Sequence, residues 1–506
     1  MRFGLARLRI VLTYVGTILF VLGFLMLIPF FFSILFAGGQ GQDVRTGTFT
    51  IPLLISVVVG AACRLQIQRW KGPRDIGRPE SMLVCTLGWV AVSALGAIPF
   101  SYHLGVSYLD AYFEAMSGFT TTGITMLSGL DFMPKSLLLW RAMTQWIGGL
   151  GILTFFLVLI FQGGPSYRLL GAESHKISGK RIAPGTWNTL KILWLVYTLF
   201  TLVVTVGLYL AGMNFFDAIT HAFTCLSTGG YSNYDASIAY FQDSGYPHYI
   251  AIEYILIFGM WVGGTNFLIH YRLITGEMKA LWDNGEMRTW WIILGGALLL
   301  VLGSRLWMLQ SAGSPVAGQA HLHDSFRHSL FQVLSIATTT GYGTRDIASS
   351  YFTPLARQVF LVLMLIGGCA GSTAGGLKAA RIAILWKMMV QQVRKVLKPD
   401  ASIDMLLVDG KPLGATEVYR TAGLLFGWLF LLLFGAMTTA ALSDYNAIES
   451  ASGMFSALGN IGPCYISAKG LTMLHPVIKL VYIVGMLAGR LEILPVLILF
   501  SGRAWK

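Results

Sequence analysis

The chain has 506 residues, of which 55% are apolar and only 12% charged. Soluble proteins carry about 25% charged residues, so this one has too little polar surface to wet a globule of its size. A soluble enzyme, a disordered chain and a disulfide scaffold are excluded, and the net charge of +13 has to be read segment by segment.

The chain opens on a basic stretch, Met1–Arg9, followed by an uncharged run from Val11 to Phe36. That run is longer than a signal-peptide core and ends in Ile34-Leu35-Phe36 rather than in small residues. It is predicted to be a retained span, since a bilayer requires about 20 apolar residues. Nine more spans are predicted at about 50–66, 81–100, 136–162, 189–212, 248–274, 290–310, 353–390, 418–442 and 474–500. Ten spans put both termini on one side. Arg2, Arg7 and Arg9 at the start and Arg503 and Lys506 at the end predict that side to be the cytoplasm of a multi-pass plasma (inner) membrane protein. The loops agree, with 26 of the 36 Lys and Arg on predicted inner segments and five on outer ones. The +13 is therefore mainly topology, with membrane lipids rather than nucleic acid as the partner of the basic face. The outer segments hold eleven acids, among them Asp110, Glu114, Asp217, Asp235 and Glu449. Together they read as a vestibule that concentrates cations, and singly as solvated loop charge. Cys63, Cys85, Cys225, Cys369 and Cys464 stand alone, without metal-ligand spacing.

Four outer connections repeat one pattern: a short amphipathic stretch, then a Ser/Thr/Gly cluster. The clusters are Ser117–Gly123, Leu226–Tyr231, Ala337–Gly343 and Ala457–Pro463. Each is followed by a span with a second small-residue cluster, at Gly148–Gly151, Gly263–Asn266, Gly367–Gly371 and Ala488–Arg490. The predicted architecture is an all-α polytopic membrane protein. An N-terminal pair of spans (1–80) precedes four span–half-helix–loop–span repeats at 81–165, 189–280, 290–398 and 418–506, in pseudo-fourfold arrangement. Irregular backbone at membrane depth is tolerated only inside protein or along a watery cavity. Four Thr/Gly loops around one axis form a ring of oxygens able to replace a monovalent cation's hydration shell. The negative C-terminal ends of the half-helices favour the same charge.

At these residues the chain resembles the superfamily of potassium transporters that includes the Trk, Ktr and HKT proteins, and within it the Trk-type membrane subunit. The resemblance covers essentially the whole chain. Its most specific stretch is Ile366–Lys378, and it also holds at Phe216–Ile219, Asp235–Ile238 and Gly489–Leu491. It implies a potassium-conducting filter made of Thr121, Thr122 and Gly123; Ser227, Thr228 and Gly229; Thr339, Thr340 and Gly341; and Asn460, Ile461 and Gly462. Glycine at all four last positions implies potassium selectivity. The fourth loop departs from the Thr pattern, and its Asn460 either lends an amide oxygen or caps the half-helix.

Five glycines with Ser372 and Thr373 between residues 367 and 376 predict a broken helix. The resemblance implies an intramembrane gate there, formed by Gly367, Gly368, Gly371, Ser372, Thr373, Gly375 and Gly376, with Lys378 at its end and Arg490 below the filter. The ordinary alternatives are a small-residue packing site, a snorkelling Lys378 and an Arg490 in a structural ion pair with Glu492 or another acid. Val408-Asp409-Gly410-Lys411-Pro412 carries a hairpin signal on the inner face. The resemblance implies a cytoplasmic TrkA-like nucleotide-binding regulatory subunit as the partner there, and a homodimer. The chain has no nucleotide-binding motif of its own. Potassium is expected as substrate, with no cofactor in this chain and no catalytic residues. The alternative function is a potassium symporter coupled to protons or sodium. The repeats are parallel rather than inverted, which argues for a pore.

Overall fold

The computed structural model describes residues 2–36, 44–45, 47–68, 77–161, 186–311, 319–397, 406–409, 411–502 and 505. Among them helices joined by loops make up the chain, and the strands are those of one hairpin, Leu407–Val408 paired with Lys411–Pro412. By length and composition, five helical segments can cross a bilayer: Leu8–Leu35, Pro79–Leu104, Asn188–Leu210, Gly285–Ser311 and Thr416–Ala441. A sixth span is bent by 109° between Tyr249–Gly264 and Phe267–Ile274. The helix Lys135–Phe161 is 27 residues long and Thr50–Gln68 is 19. Large apolar side chains such as Leu195, Ile292, Leu299 and Phe426 are exposed on the outside of this bundle, as a hydrocarbon solvent requires.

The N-terminal pair is a close helix hairpin. A β-carbon on Gly16 would stand 2.2 Å from Cys63 Cβ, and one on Gly60 would stand 2.7 Å from the Gly16 carbonyl oxygen. Small residues let the two backbones approach where lipid gives no hydrophobic drive. This pair packs with repeat one in a single apolar cluster that includes Val15, Phe100, Leu138 and Trp140. Repeats two and three share a second cluster, and repeat four forms a third against Phe113 and Met116 of repeat one.

All four half-helices are present: Tyr108–Phe119, Phe215–Leu226, Gln319–Ala337 and Ala447–Gly459. Their starts are written in the sequence. Ser107 caps Asp110 N, Asn214 caps Asp217 N, and Asn446 with Glu449 forms a reciprocal capping box. Many of the outer acids are thereby committed locally. Asp110 also pairs with Lys479 at 2.5 Å, and Asp235 accepts from Gly129 N and Leu130 N.

The second small-residue cluster acts differently in each repeat. In repeat one, Gly148–Gly151 lies within an unbroken helix. In repeat two the helix bends after Gly264, and Asn266 caps the new segment. In repeat three it stops at Leu365 and resumes at Ala379. In repeat four it ends at Leu491, where Glu492 and Ile493 both take positive φ.

Candidate functional site

The loops that leave the half-helices lie against one another and share a backbone path. Thr122 N bonds Ser117 O, Gly229 N bonds Thr224 O, Thr340 N bonds Ser335 O, and Ile461 N bonds Ser456 O, at 2.8 to 3.0 Å. One residue earlier in each loop, Thr121, Thr228, Thr339 and Asn460 stand at φ between 52° and 57°. One residue later, Gly123, Gly230, Gly341 and Gly462 stand at φ between 71° and 105°. Left-handed backbone at three threonines is a strained choice, and its recurrence at one position marks a common geometry.

The register of loop two therefore differs by one from the Ser227-Thr228-Gly229 set that the resemblance implies. Gly230, not Gly229, is the counterpart of Gly123, Gly341 and Gly462. Thr228 matches Thr121, and Ser227 matches Thr120 as the last turn of the half-helix. The missed signal was the tyrosine in Gly230-Tyr231 and Gly341-Tyr342. Each reaches back to the preceding half-helix: Tyr231 Oη donates to Glu114 O (2.9 Å) and Tyr342 Oη to His221 O (3.0 Å).

The loops close into a ring. A β-carbon on Gly123 would stand 2.2 Å from Gly229 O, one on Gly230 1.9 Å from Thr340 O, and one on Gly341 1.9 Å from Ile461 O. The last step is looser, with Gly462 at 3.1 Å from Thr122 O. Each glycine thus makes room for the carbonyl that precedes its counterpart in the next loop. Asn460 sits at the same closure. Its Nδ2 donates to Thr122 Oγ1 and to Met486 O, both at 2.9 Å, so the amide ties loop four to loop one. Its Oδ1 and the Thr121 hydroxyl are buried without a partner among the described residues.

The broken helix of repeat three packs beneath this ring. Residues 366–378 form an irregular loop, and Gly367 N bonds Leu377 O at 2.9 Å. Gly371 and Gly376 take positive φ, and a β-carbon on Gly367 would meet Gly375 O at 1.9 Å. Gly375 N donates to Thr339 Oγ1 (2.8 Å), and Thr373 Oγ1 donates to Leu226 O (2.8 Å) and Gly263 O (3.0 Å). Cys369 N bonds Gly264 O (2.9 Å). Lys378 Nζ donates back into the loop, to Ala374 O. Arg490 donates to Thr373 O and, at 3.3 Å, to Gly148 O. Among the described residues no carboxylate pairs with Arg490; Glu492 pairs with Arg381 instead.

A family model described as a cation transport protein, TrkH, matches residues 46–506. The chain belongs to the TrkH family of cation transport proteins. It is 31% identical to the Trk system potassium uptake protein TrkH of Escherichia coli K12, over 98% of this chain and 99% of that one. It is 30% identical to an uncharacterized cation transporter of Methanocaldococcus jannaschii, over 98% and 96%. The crystal structure of the potassium transporter TrkH from Vibrio parahaemolyticus superposes with a TM-score of 0.82 at 28% identity, covering 99% of this chain and all of that one. This is a family of multi-pass membrane transporters, not of enzymes.

In this TrkH-family chain the loops are fixed from behind by buried polar groups: Gln145 and Arg141, which the sequence does not mark, and Glu114 and Asp217, which are buried and paired rather than solvated vestibule charges. Gln145 spans loop two, giving Nε2–H to Gly229 O (2.7 Å) and taking Tyr231 N on Oε1 (3.1 Å). Arg141 is fully enclosed. It pairs with Glu114 at 2.7 Å, donates to Ser232 O, and lies 3.5 Å from the Tyr231 ring centroid. Glu114 also accepts from Met126 N (2.8 Å), which ties the half-helix to the loop it feeds. Asp217 accepts from Asn233, Tyr234 and Asn214. Burial and the Asp217 carboxylate push the Tyr234 hydroxyl well above its ordinary range, so it remains a donor. Spacing within one sequence cannot bring Gln145 to Gly229 or Asn460 to Thr122; only the closed ring does.

Proposed function

We propose that this chain is the membrane subunit of a potassium uptake system, conducting potassium through the ring of four loops. One observation carries the reading: each loop's glycine accommodates a carbonyl of the next loop, all the way round, from Gly123 to Gly462. Backbone carbonyls facing one axis replace a hydration shell, and four half-helix C-termini add negative potential. The relatives' names, which specify potassium, supply the ion.

The filter comprises Thr121–Gly123, Thr228–Gly230, Thr339–Gly341 and Asn460–Gly462, with Ser227 and Gly229 retained as supporting positions of loop two. The loop 366–378 is the gate, because it hangs from the filter through Thr339 and Thr373 and consists of residues that can repack cheaply. Arg490 and Lys378 brace it. Both termini face the cytoplasm, following the 26-to-5 distribution of basic residues. The working assembly is a homodimer with a TrkA-like nucleotide-binding ring on the inner face, consistent with relatives named as parts of a Trk system.

The test is rubidium or potassium uptake by the purified full chain in liposomes. Flux driven by membrane potential alone, at about 2.3 kcal/mol per charge per 100 mV, is the expected result. Strict dependence on a proton or sodium gradient overturns the pore in favour of symport.

A further inference from the structure

We propose that Glu286 is the pin that holds the 366–378 loop, and that the 406–413 hairpin is its handle. Glu286 stands in the first turn of Gly285–Ser311 and is buried. Its Oε1 accepts from Ala370 N at 2.6 Å and from Ala380 N at 3.3 Å. One carboxylate thus clamps the middle of the loop to the first turn of the helix that follows it, Ala379–Val396. That helix start is a favourable place for a negative charge, because the first amides of a helix have no carbonyl in a preceding turn and its dipole is positive there; Ala379 N is taken by Gly368 O and Ala380 N by Glu286. The other oxygen, Oε2, is buried without a partner among the described residues. A carboxylate kept at that cost is held for what Oε1 does.

The hairpin reaches the same spot. Asp409 takes φ +50° in the turn between the two strands. Its Oδ1 accepts from Gly285 N at 2.8 Å, one residue before Glu286. Lys387, on the helix that leaves the loop, donates to Leu407 O in the first strand (3.1 Å). The hairpin therefore grips the pin through Gly285 and the exit helix through Lys387. A protein partner that shifts this hairpin shifts Glu286 against Ala370. This inference rests on the reading of 366–378 as the gate.

The experiment is potassium uptake by the full chain in liposomes, without any regulatory subunit, for Glu286→Ala, Glu286→Gln, Asp409→Ala, the double Glu286→Ala/Asp409→Ala, and a chain lacking Gly371–Gly375. Glu286→Ala is expected to raise uptake about tenfold, equivalent to about 1.4 kcal/mol, with potassium-over-sodium selectivity unchanged. Glu286→Gln keeps an acceptor oxygen and gives an intermediate rise; it also carries the test if the alanine variant does not fold. Asp409→Ala gives a smaller rise, and the double variant matches Glu286→Ala alone, because both act through one contact. If the loop deletion raises uptake while neither Glu286 variant does, the pin is refuted and the gate stands. If the deletion also leaves uptake unchanged, the gate itself is refuted. Additive effects in the double variant refute the handle.

Discussion

Alanine at the four ring glycines separates a closed filter from an ordinary set of turns. Every one of these positions has positive φ, so any side chain costs about 1–2 kcal/mol of backbone strain. That common cost cannot distinguish them; the contact can. Real Cβ atoms essentially never come within 3.0 Å of a neighbouring heavy atom. At Gly341 the added carbon would lie 1.9 Å from Ile461 O, so something must move by about 1.1 Å, and both sides are backbone. At Gly462 the nearest atom, Thr122 O, is 3.1 Å away, and a few tenths of an ångström suffice. Gly341→Ala is therefore expected to abolish discrimination of potassium from sodium, by displacing the Ile461 carbonyl. Gly462→Ala should keep most of it and lose only the strain energy, roughly 5- to 30-fold in the folded-to-unfolded ratio. The assay is competitive rubidium uptake against sodium in liposomes, on protein shown monodisperse by gel filtration, with melting temperature measured alongside. Equal selectivity in the two variants, or intact selectivity in Gly341→Ala, refutes the ring.

Three further outcomes follow from buried contacts. Glu114→Gln leaves Arg141 enclosed without its counter-charge and should cost about 3–5 kcal/mol, read as a large fall in melting temperature; Glu114→Gln with Arg141→Met should recover part of it. Tyr342→Phe removes one hydroxyl from the His221 carbonyl at a cost of about 0.5–1.5 kcal/mol, and should weaken selectivity more than the same change at an exposed tyrosine such as Tyr419. Arg490→Gln removes the cation that holds Thr373 O, and is expected to raise uptake without a regulatory subunit; unchanged uptake in folded protein counts against its bracing role.

The fold was legible because each device is local. The four Ser/Thr/Gly clusters, each after a short amphipathic stretch, announce the half-helices and their loops, and the glycines after Ile366 announce the break. What the sequence hid is contact between distant segments. Loop two can be aligned on Ser227-Thr228-Gly229 or on Gly230-Tyr231, and only hydrogen bonds such as Gly229 N to Thr224 O decide. Glu286 was invisible for the same reason: a lone acid at a helix start reads as a dipole partner until Ala370, 84 residues away, is brought to it.

The departures from fourfold symmetry are concentrated beneath the ring. Gly148, Gly263 and Gly489 are counterparts, since a β-carbon on each would press on the carbonyl at the end of its own half-helix: Phe119 O, Leu226 O and Leu458 O. The residue after each is then equivalent as well. In repeats one and two it is Gly149 and Gly264, and the next loop packs onto it, with Ser227 Cβ 3.0 Å and Thr338 Cγ2 2.6 Å from where a β-carbon would lie. In repeat four it is Arg490. A side chain is possible there because its guanidinium turns away to Thr373 O and Gly148 O, on repeats three and one. Two glycine floors and one cation do not improve a symmetric cage for an ion. They create a single side from which the 366–378 loop is held, and that loop also exists in only one repeat. On the proposed reading, the ring is repeated because an ion's shell is nearly symmetric, and the floor is not, because one loop held from one side would be sufficient to close it.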